Sequence, residues 1–401
     1  MNEWPIKKTA LWVVAALGIG FLILLMASQS QAADLGGNCC ADLEERIAEL
    51  EATTARKGNR KVSLTVYGQV NAALLYVDAG DYQNTTVNQN GVDESYVGFS
   101  GAGRINNDLT AGYTIEIDLH QLGLINLPIE NTKPTVRQSY WWVKSEALGK
   151  LAVGRQAMAT GDLDKISTGN TSAVAKPLSL GGLSDAYLTG LDLPWDGPYG
   201  NVVRYDSPVL AGFMLSASWG DSFDITSSDG NGDQWDVALR YAGEFSQFKV
   251  LGGVGYRSST DLDINVLHIT NVTIPTGDVK TITAVGSVKH VPSGMFLTLN
   301  YAHQDWQDTS PNFVLWGWQA TAGVDAKLVS AGTTTFYGEY GQITADPDGG
   351  DNYDFPLWGA GVVQNLEGAA MDLYLGYRHY DLGDLVDEDV QTVSAGARVK
   401  F

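Results

Sequence analysis

Ionisable side chains recur at every second or fourth position in several segments of this chain, which is the spacing of one face of a β-strand. Acids and bases share the pattern, as in Glu116 and Asp118 or in Asp236 and Arg240. Such a row can bind ions and polar solutes transiently along a surface. The residues that we assign to this polar wall are Glu116, Asp118, Asp236, Arg240, Glu339, Arg378 and Arg398.

The chain offers little for covalent or metal chemistry. It has five His residues, none beside a nucleophile motif and none in the HExxH spacing of a zinc site. Its two Cys residues, Cys39 and Cys40, are adjacent, and a bridge between them would close a strained ring. We therefore predict that the chain is not an enzyme and has no catalytic residue, metal or cofactor.

The elements that would position the polar wall are strands with one apolar and one polar face. In the segment from Ala111 to Leu119, apolar residues alternate with Thr114, Glu116 and Asp118. Sixteen segments show this alternation: 62–77, 93–103, 110–119, 135–145, 150–157, 201–207, 213–220, 234–241, 248–257, 280–290, 295–303, 313–326, 333–342, 355–365, 371–379 and 389–401.

The connections between these segments alternate between short turns such as EALG and long polar loops such as DSFDITSSDGNG. Short turns at one rim and long loops at the other are typical of transmembrane β-barrels. A closed sheet pairs every backbone N–H and C=O, as a lipid environment requires. We predict an all-β fold, a 16-stranded antiparallel transmembrane β-barrel in which the apolar faces meet lipid and the polar faces line a lumen.

The residues before the barrel fall into two parts. Residues 1–32 have basic, apolar and small-residue regions in the order of a secretory signal peptide, although the apolar run could also serve as a membrane anchor. Residues 33–60 form a linker, and residues 41–57 within it are predicted to be helical, with an apolar seam. The seam could join identical chains in a short coiled coil or belong to a plain helical linker. Its residues are Leu43, Ile47 and Leu50.

The formal net charge is -21 at pH 7. Binding to nucleic acid requires a basic patch that displaces counterions from phosphates, so we exclude a nucleic-acid partner. The assigned wall is close to balanced in charge, which leaves the negative excess to the loops. An acidic mouth concentrates cations, and we therefore expect a channel of this charge to prefer them.

Four stretches in residues 61–401 resemble the trimeric sixteen-stranded porins of Gram-negative bacteria, of the alphaproteobacterial type. They are KVSLTVYGQVNAAL, ESYVGFSGAGRINNDLTAGYTIEI, VRQSYWWVKSEALGKLAVGRQ and GNVVRYDSPVLAGF, and the terminal GARVKF agrees. The resemblance implies a homotrimer in the outer membrane, in contact with lipid and lipopolysaccharide, with the N-terminal segment in the periplasm. It also implies passive diffusion of small hydrophilic solutes, and Phe401 resembles the signal that the barrel-assembly machinery reads during insertion.

The porin resemblance also implies a constriction. The third loop of the family folds inward and carries acids opposite basic wall residues. Here the longest loop spans residues 158–200, and the residues that the resemblance assigns to the constriction are Arg137, Arg204, Asp162, Asp164 and Asp185. The chain departs from many general porins in having Tyr96 where they place an arginine, and in lacking a Pro-Glu-Phe-Gly-Gly stretch.

One basic residue stands on the apolar face of its strand. Arg155 shares that face with Leu151 and Val153, where an exposed arginine is costly near the middle of the bilayer. It could extend toward lipid phosphates, or the wall could be buried against another subunit, where Glu130 of a neighbour could pair with it.

Two further functions remain open at this stage. A substrate-selective channel would need an ordered aromatic track or a charge ladder along its lumen, to which Trp141, Trp195 and Trp306 could contribute. A structural barrel would tether the envelope through residues 33–60.

Overall fold

The computed structural model describes residues 62–80, 82–90, 92–119, 135–175, 199–221, 233–262, 277–307, 312–350, 352–382 and 389–401. The predicted segments 1–32 and 41–57 lie outside this part of the chain, as do Cys39 and Cys40. No helix among the described residues is both long and apolar enough to span a membrane.

The described residues form one antiparallel sheet and a short 3₁₀ helix, Glu367–Ala369. The strands are β1 Thr65–Ala79, β2 Tyr82–Gln89, β3 Tyr96–Arg104, β4 Leu109–Asp118, β5 Thr135–Ser145, β6 Gly149–Ala157, β7 Tyr199–Asp206, β8 Phe213–Asp221, β9 Asp233–Phe245, β10 Phe248–Leu262, β11 Gly277–His290, β12 Met295–Gln307, β13 Phe313–Val329, β14 Gly332–Pro347, β15 Tyr353–Leu366, β16 Met371–Tyr380 and β17 Val390–Lys400.

The sheet closes on itself where its last strand meets its first. β17 pairs antiparallel with β1, with Lys400 opposite Gln69. Beyond this pair, the Phe401 N–H donates to the Gly68 carbonyl at 3.0 Å, and the Gly68 N–H donates to the Phe401 carbonyl at 2.9 Å. The closed sheet confirms the predicted 16-stranded barrel, because β2 and β3 together occupy one strand position.

The second position of the barrel is divided. β2 pairs with the C-terminal half of β1 and β3 with its N-terminal half, and the described residues between them, 90 and 92–95, turn toward the lumen. The side-chain amides of Asn71 and Gln69 donate to the carbonyls of Asp93 and Glu94, each at 2.8 Å. We predicted one strand over 93–103 and a loop before it. β2 was missed because its sequence, YQNTTVNQ, is polar on both faces and so lacks alternation.

The two faces of the barrel have opposite chemistry. On the inward face, Asn71 and Asp236 are fully buried, whereas Val66 and Leu215 on the outward face are 50% and 52% exposed. Soluble proteins bury apolar side chains and expose polar ones. The reversed pattern fits a wall that meets lipid outside and encloses a polar lumen.

Candidate pore constriction

The segment that follows β6 runs into the barrel rather than over its rim. Its first residues are fixed by Asp236 of β9, which is fully buried. The Ala159 and Thr160 N–H groups donate to its carboxylate at 3.1 Å and 2.6 Å, and the Thr160 hydroxyl donates at 2.7 Å. Ser218 donates to the same carboxylate. A single acid therefore anchors the start of the inward loop.

Two arginines on the same wall bind this stretch through its backbone. Arg204 donates to the carbonyls of residues 157 and 158 at 3.1 Å and 3.0 Å, and it also pairs with Asp206 at 2.9 Å. Arg240 donates to the carbonyls of residues 159 and 161, each at 2.7 Å. Both guanidinium groups are thus engaged in holding the loop to the wall.

The loop then follows the lumen face of the barrel past β10, where Leu163 lies against Gly253 and Gly255, to β11 and β12. The Ser167 hydroxyl lies 3.1 Å from that of Thr298 on β12, and the Thr168 N–H donates to the Ser287 hydroxyl of β11 at 2.9 Å. Further along, Asn90 donates to the Ala173 carbonyl at 2.9 Å. These contacts confirm an inward-folded third loop over residues 158–175.

Facing the loop across the lumen is Arg137. Its Nε donates to the Tyr199 hydroxyl at 2.6 Å, and its guanidinium lies 4.9 Å and 5.0 Å from the ring centroids of Tyr96 and Tyr199. Carboxylate oxygens of Glu94 and Glu116 lie 3.8 Å and 3.7 Å from its nitrogens. Two rings and two acids therefore fix this cation in the wall.

A β-bulge directs Arg137 into the lumen. Glu116 pairs with Gln138, whereas the next residue, Ile117, pairs with Val136. Arg137 is the extra residue between these pairs, so it points inward although strict alternation after Gln138 would point it outward. Bulges commonly re-aim a side chain in this way.

The loop and the wall enclose a cavity of about 510 Å³. Asp162 and Lys165 form an ion pair in it at 2.8 Å on the loop side. Partial burial would raise the pKa of Asp162, but the neighbouring Lys165 ammonium lowers it, so the carboxylate stays ionised. The charged residues that line the cavity are Asp93, Glu116, Arg137, Asp162, Asp164, Lys165, Arg398 and Lys400.

A family model described as Gram-negative porin matches residues 20–398. The chain belongs to the Gram-negative porin family. This membership, with the closed barrel, makes the chain an outer-membrane channel protein. The channels of this family are typically not enzymes. Among the described residues of this porin, no group of His, Cys, Asp and Glu could hold a metal ion.

Solved structures of outer-membrane proteins share the fold at low identity. The anion-selective porin from Comamonas acidovorans is 16% identical with a TM-score of 0.61, over 85% of this chain and 100% of that chain. OmpT of Vibrio cholerae in a trimer form is 17% identical with a TM-score of 0.58, over 85% and 99%. The DcaP channel of Acinetobacter baumannii is 10% identical with a TM-score of 0.56, over 87% and 100%. The comparison with curated protein sequences found no significant match.

On the wall of β14 to β16, the porin carries a buried ion pair. Arg378 donates to both carboxylate oxygens of Glu339, at 2.5 Å and 3.0 Å, and Gln319 donates to the same carboxylate at 2.8 Å. The side chains of Arg378 and Glu339 are 8% and 0% exposed. This pair is therefore part of the packed wall.

A second buried cation joins three elements of the porin. Arg398 of β17 donates to Asp372 of β16 at 2.7 Å and 3.1 Å, and it also pairs with Asp93 from the inward turn that precedes β3. Its Nη2 lies 3.2 Å from the Ser172 hydroxyl of the loop. Arg398 thereby ties the loop to the closing strand.

The residues that we predicted from the sequence for the constriction and the wall have different contacts in the structure. Asp162 and Asp164 lie with Arg137 on the cavity, whereas Arg204 binds the loop backbone instead of standing across from the acids. The predicted wall residues occupy inward positions of their strands. Asp185, Glu130, Leu43, Ile47 and Leu50 lie outside the described residues.

Several cavity and loop residues were missed by sequence reasoning. Glu94 and Asn90 belong to the inward turn between β2 and β3, which has no alternation to reveal it. Lys165 follows Asp162 at a spacing that suggests a local ion pair, but that spacing is common in surface loops. Tyr199 could be identified as a partner of Arg137 only from the fold.

Proposed function

We propose that this porin forms a water-filled channel for passive diffusion of small hydrophilic solutes and ions. The observation that carries the proposal is the cavity between the inward loop and the Arg137 wall, because it is lined by charged and hydroxyl-bearing side chains inside a closed barrel. Pore diameter and the groups that line it decide what passes. A polar lining of both signs suits hydrated ions and small polar molecules better than apolar ones.

The second part of this proposal is that the channel prefers cations. The strand-connecting segments outside the described residues hold only two bases, Lys133 and Lys176. They hold thirteen acids: Asp81, Glu130, Asp185, Asp192, Asp196, Asp224, Asp229, Asp263, Asp308, Asp351, Asp384, Asp387 and Glu388. The described residues hold 26 acids and 16 bases, so the connecting segments carry about half of the negative excess, and their acids would enrich cations near the channel.

Channel recordings in planar bilayers test both parts. In a KCl gradient, the reversal potential is expected to have the sign of K⁺ preference. The preference should weaken between 0.1 M and 1 M salt, because the Debye length falls from about 10 Å to about 3 Å. A purified, folded barrel that carries no current would contradict passive diffusion. A clear Cl⁻ preference would contradict only the proposed selectivity.

We also propose that the channel is a homotrimer that uses one side of the barrel. The exposed aromatic side chains of β8–β15 resemble an interfacial belt toward lipid. They are Phe213, Trp219, Trp235, Phe245, Phe248, Tyr301, Phe336, Tyr340 and Trp358. Among the described residues, β1 and β3–β6 expose a single large aromatic, Trp141. Small outward residues near this side, such as Ala72 opposite Ala397, allow the close approach of another subunit.

Arg155 lies on the same side. It points outward from β6 beside exposed Leu151, and its Nε donates to the Val136 carbonyl at 2.8 Å. We retain the proposal that Glu130 of a neighbouring subunit pairs with it. Residues 41–57, with Leu43, Ile47 and Leu50 along one seam, would then form a short coil on the periplasmic side, after removal of residues 1–32.

Arg155→Ala is expected to lower the temperature at which the trimer dissociates, because a charged contact between subunits is lost. Unheated electrophoresis over a temperature series measures this value. Lys280→Gln is the matched control, because Lys280 lies on β11, away from the proposed interface. A wild-type protein that is monomeric in native mass spectrometry would contradict the trimer.

A further inference from the structure

On the periplasmic side of the constriction, Lys150 of β6 lies beside two aromatic rings of β5. Its ammonium is 5.2 Å from the ring centroid of Tyr140 and 5.8 Å from that of Trp142. All three side chains point into the lumen and are partly exposed there. An ammonium at this distance from ring faces is held by cation–π attraction.

Two glycines let this wall pack closely. A Cβ at Gly112 of β4 would lie 2.3 Å from an indole carbon of Trp142, so the Trp142 ring packs directly on β4. Gly154 of β6 has a φ of +132°, which side chains rarely adopt, and a Cβ there would lie 2.4 Å from the Ser139 carbonyl oxygen and 2.8 Å from the Tyr140 Cα. Gly154 therefore lets the backbones of β5 and β6 approach each other at Tyr140.

The acid that faces Lys150 across the β6–β7 pair, Asp206, is bound to another base, Arg204, at 2.9 Å. Lys150 itself has no ion pair among the described residues. The neighbouring Lys144 pairs with the exposed Glu146 at 3.2 Å. This patch of Lys150, Tyr140, Trp142 and Lys144, the inner patch, thus presents ring surface beside an ammonium without an ion pair in the described part of the chain.

We propose that the inner patch binds small aromatic carboxylates as they pass through the channel. The carboxylate accepts hydrogen bonds from the Lys150 ammonium on its lumen side, and the ring of the solute packs along Trp142 and Tyr140. Lysine serves this purpose well because its three N–H donors can rotate toward an anion. The patch lies beyond the constriction, so it acts on anions that have already passed the acidic mouth.

This site deepens the proposed channel and rests on it. Benzoate is a suitable probe because it combines one carboxylate with one ring. Added at the periplasmic side in single-channel recordings, benzoate is expected to cause brief interruptions of the current. Acetate lacks the ring and benzyl alcohol lacks the charge, and both should interrupt it much less.

Lys150→Gln is expected to weaken the apparent benzoate affinity about tenfold, which corresponds to about 1.4 kcal/mol. Lys150→Arg keeps the charge and should retain most of the binding. Lys327→Gln is the control, since it removes an exposed lysine near the same rim without neighbouring rings.

Three results would overturn the proposal. They are the absence of benzoate interruptions in wild-type channels, equal interruptions in Lys150→Gln, and equal effects of acetate or benzyl alcohol. The open-channel current is measured in the same recordings, so a failure of the site is distinguishable from a failure of the channel.

Discussion

A barrel that lacks residues 163–175 is expected to conduct several times more current than the complete chain. These residues run through the lumen from the anchor at Asp236, past β11 and β12, to Asn90. Their removal joins the cavity of about 510 Å³ to the rest of the lumen, and the narrowest cross-section limits the current. Single-channel steps in 1 M KCl measure the change.

Asp236→Asn is the companion variant. It keeps the loop but replaces the ionised acceptor of the Ala159 and Thr160 N–H groups. Hydrogen bonds to a charged group are stronger than neutral ones, so the loop start should loosen and the open-channel current should become noisier. Unchanged conductance in a deletion variant with the electrophoretic mobility of a folded barrel would show that the loop does not limit the pore.

Glu339→Leu is expected to cost about 3–5 kcal/mol of unfolding free energy, the typical cost of removing one partner of a buried ion pair. The guanidinium of Arg378 would lose both of its bonds to the acid while its side chain stays 8% exposed. Unfolding in denaturant, followed by far-UV circular dichroism, measures the loss.

The double variant Glu339→Leu/Arg378→Met should recover most of this stability, because two apolar groups leave no charge buried. Glu146→Gln serves as the control, since it removes an exposed ion pair with Lys144 and should change stability by no more than about 1 kcal/mol. A single variant as stable as the wild type, or a double variant as unstable as the single, would contradict the assigned cost.

The barrel was predictable because its signal is local. Each strand shows an apolar and a polar face within about ten residues, and the lipid–lumen difference imposes that alternation on nearly all of them. β2 escaped prediction because its sequence, YQNTTVNQ, is polar on both faces. Residues 90–95 also lack alternation, and we therefore assigned part of this range to a loop and the rest to a strand.

The site was less predictable because it depends on contacts between distant residues and on one irregularity. A bulge aims Arg137 inward against the alternation of β5, and no local pattern marks it. Resemblance to porins placed Arg137 at the constriction. It also placed Arg204 there, although this side chain binds the loop backbone. The path of the loop through the lumen decides which basic side chain pairs with an acid and which one binds a backbone carbonyl.

The pairing of Phe401 with Gly68 has a consequence for how the barrel forms. The two residues that exchange these backbone bonds belong to opposite ends of the sheet, so this contact has nearly the greatest sequence separation in the described chain. Contacts of such separation form slowly, because the intervening chain must first lose much of its conformational freedom. Until β17 reaches β1, both strands present a free edge that could pair with another chain. The nascent barrel is therefore most vulnerable to aggregation just before closure.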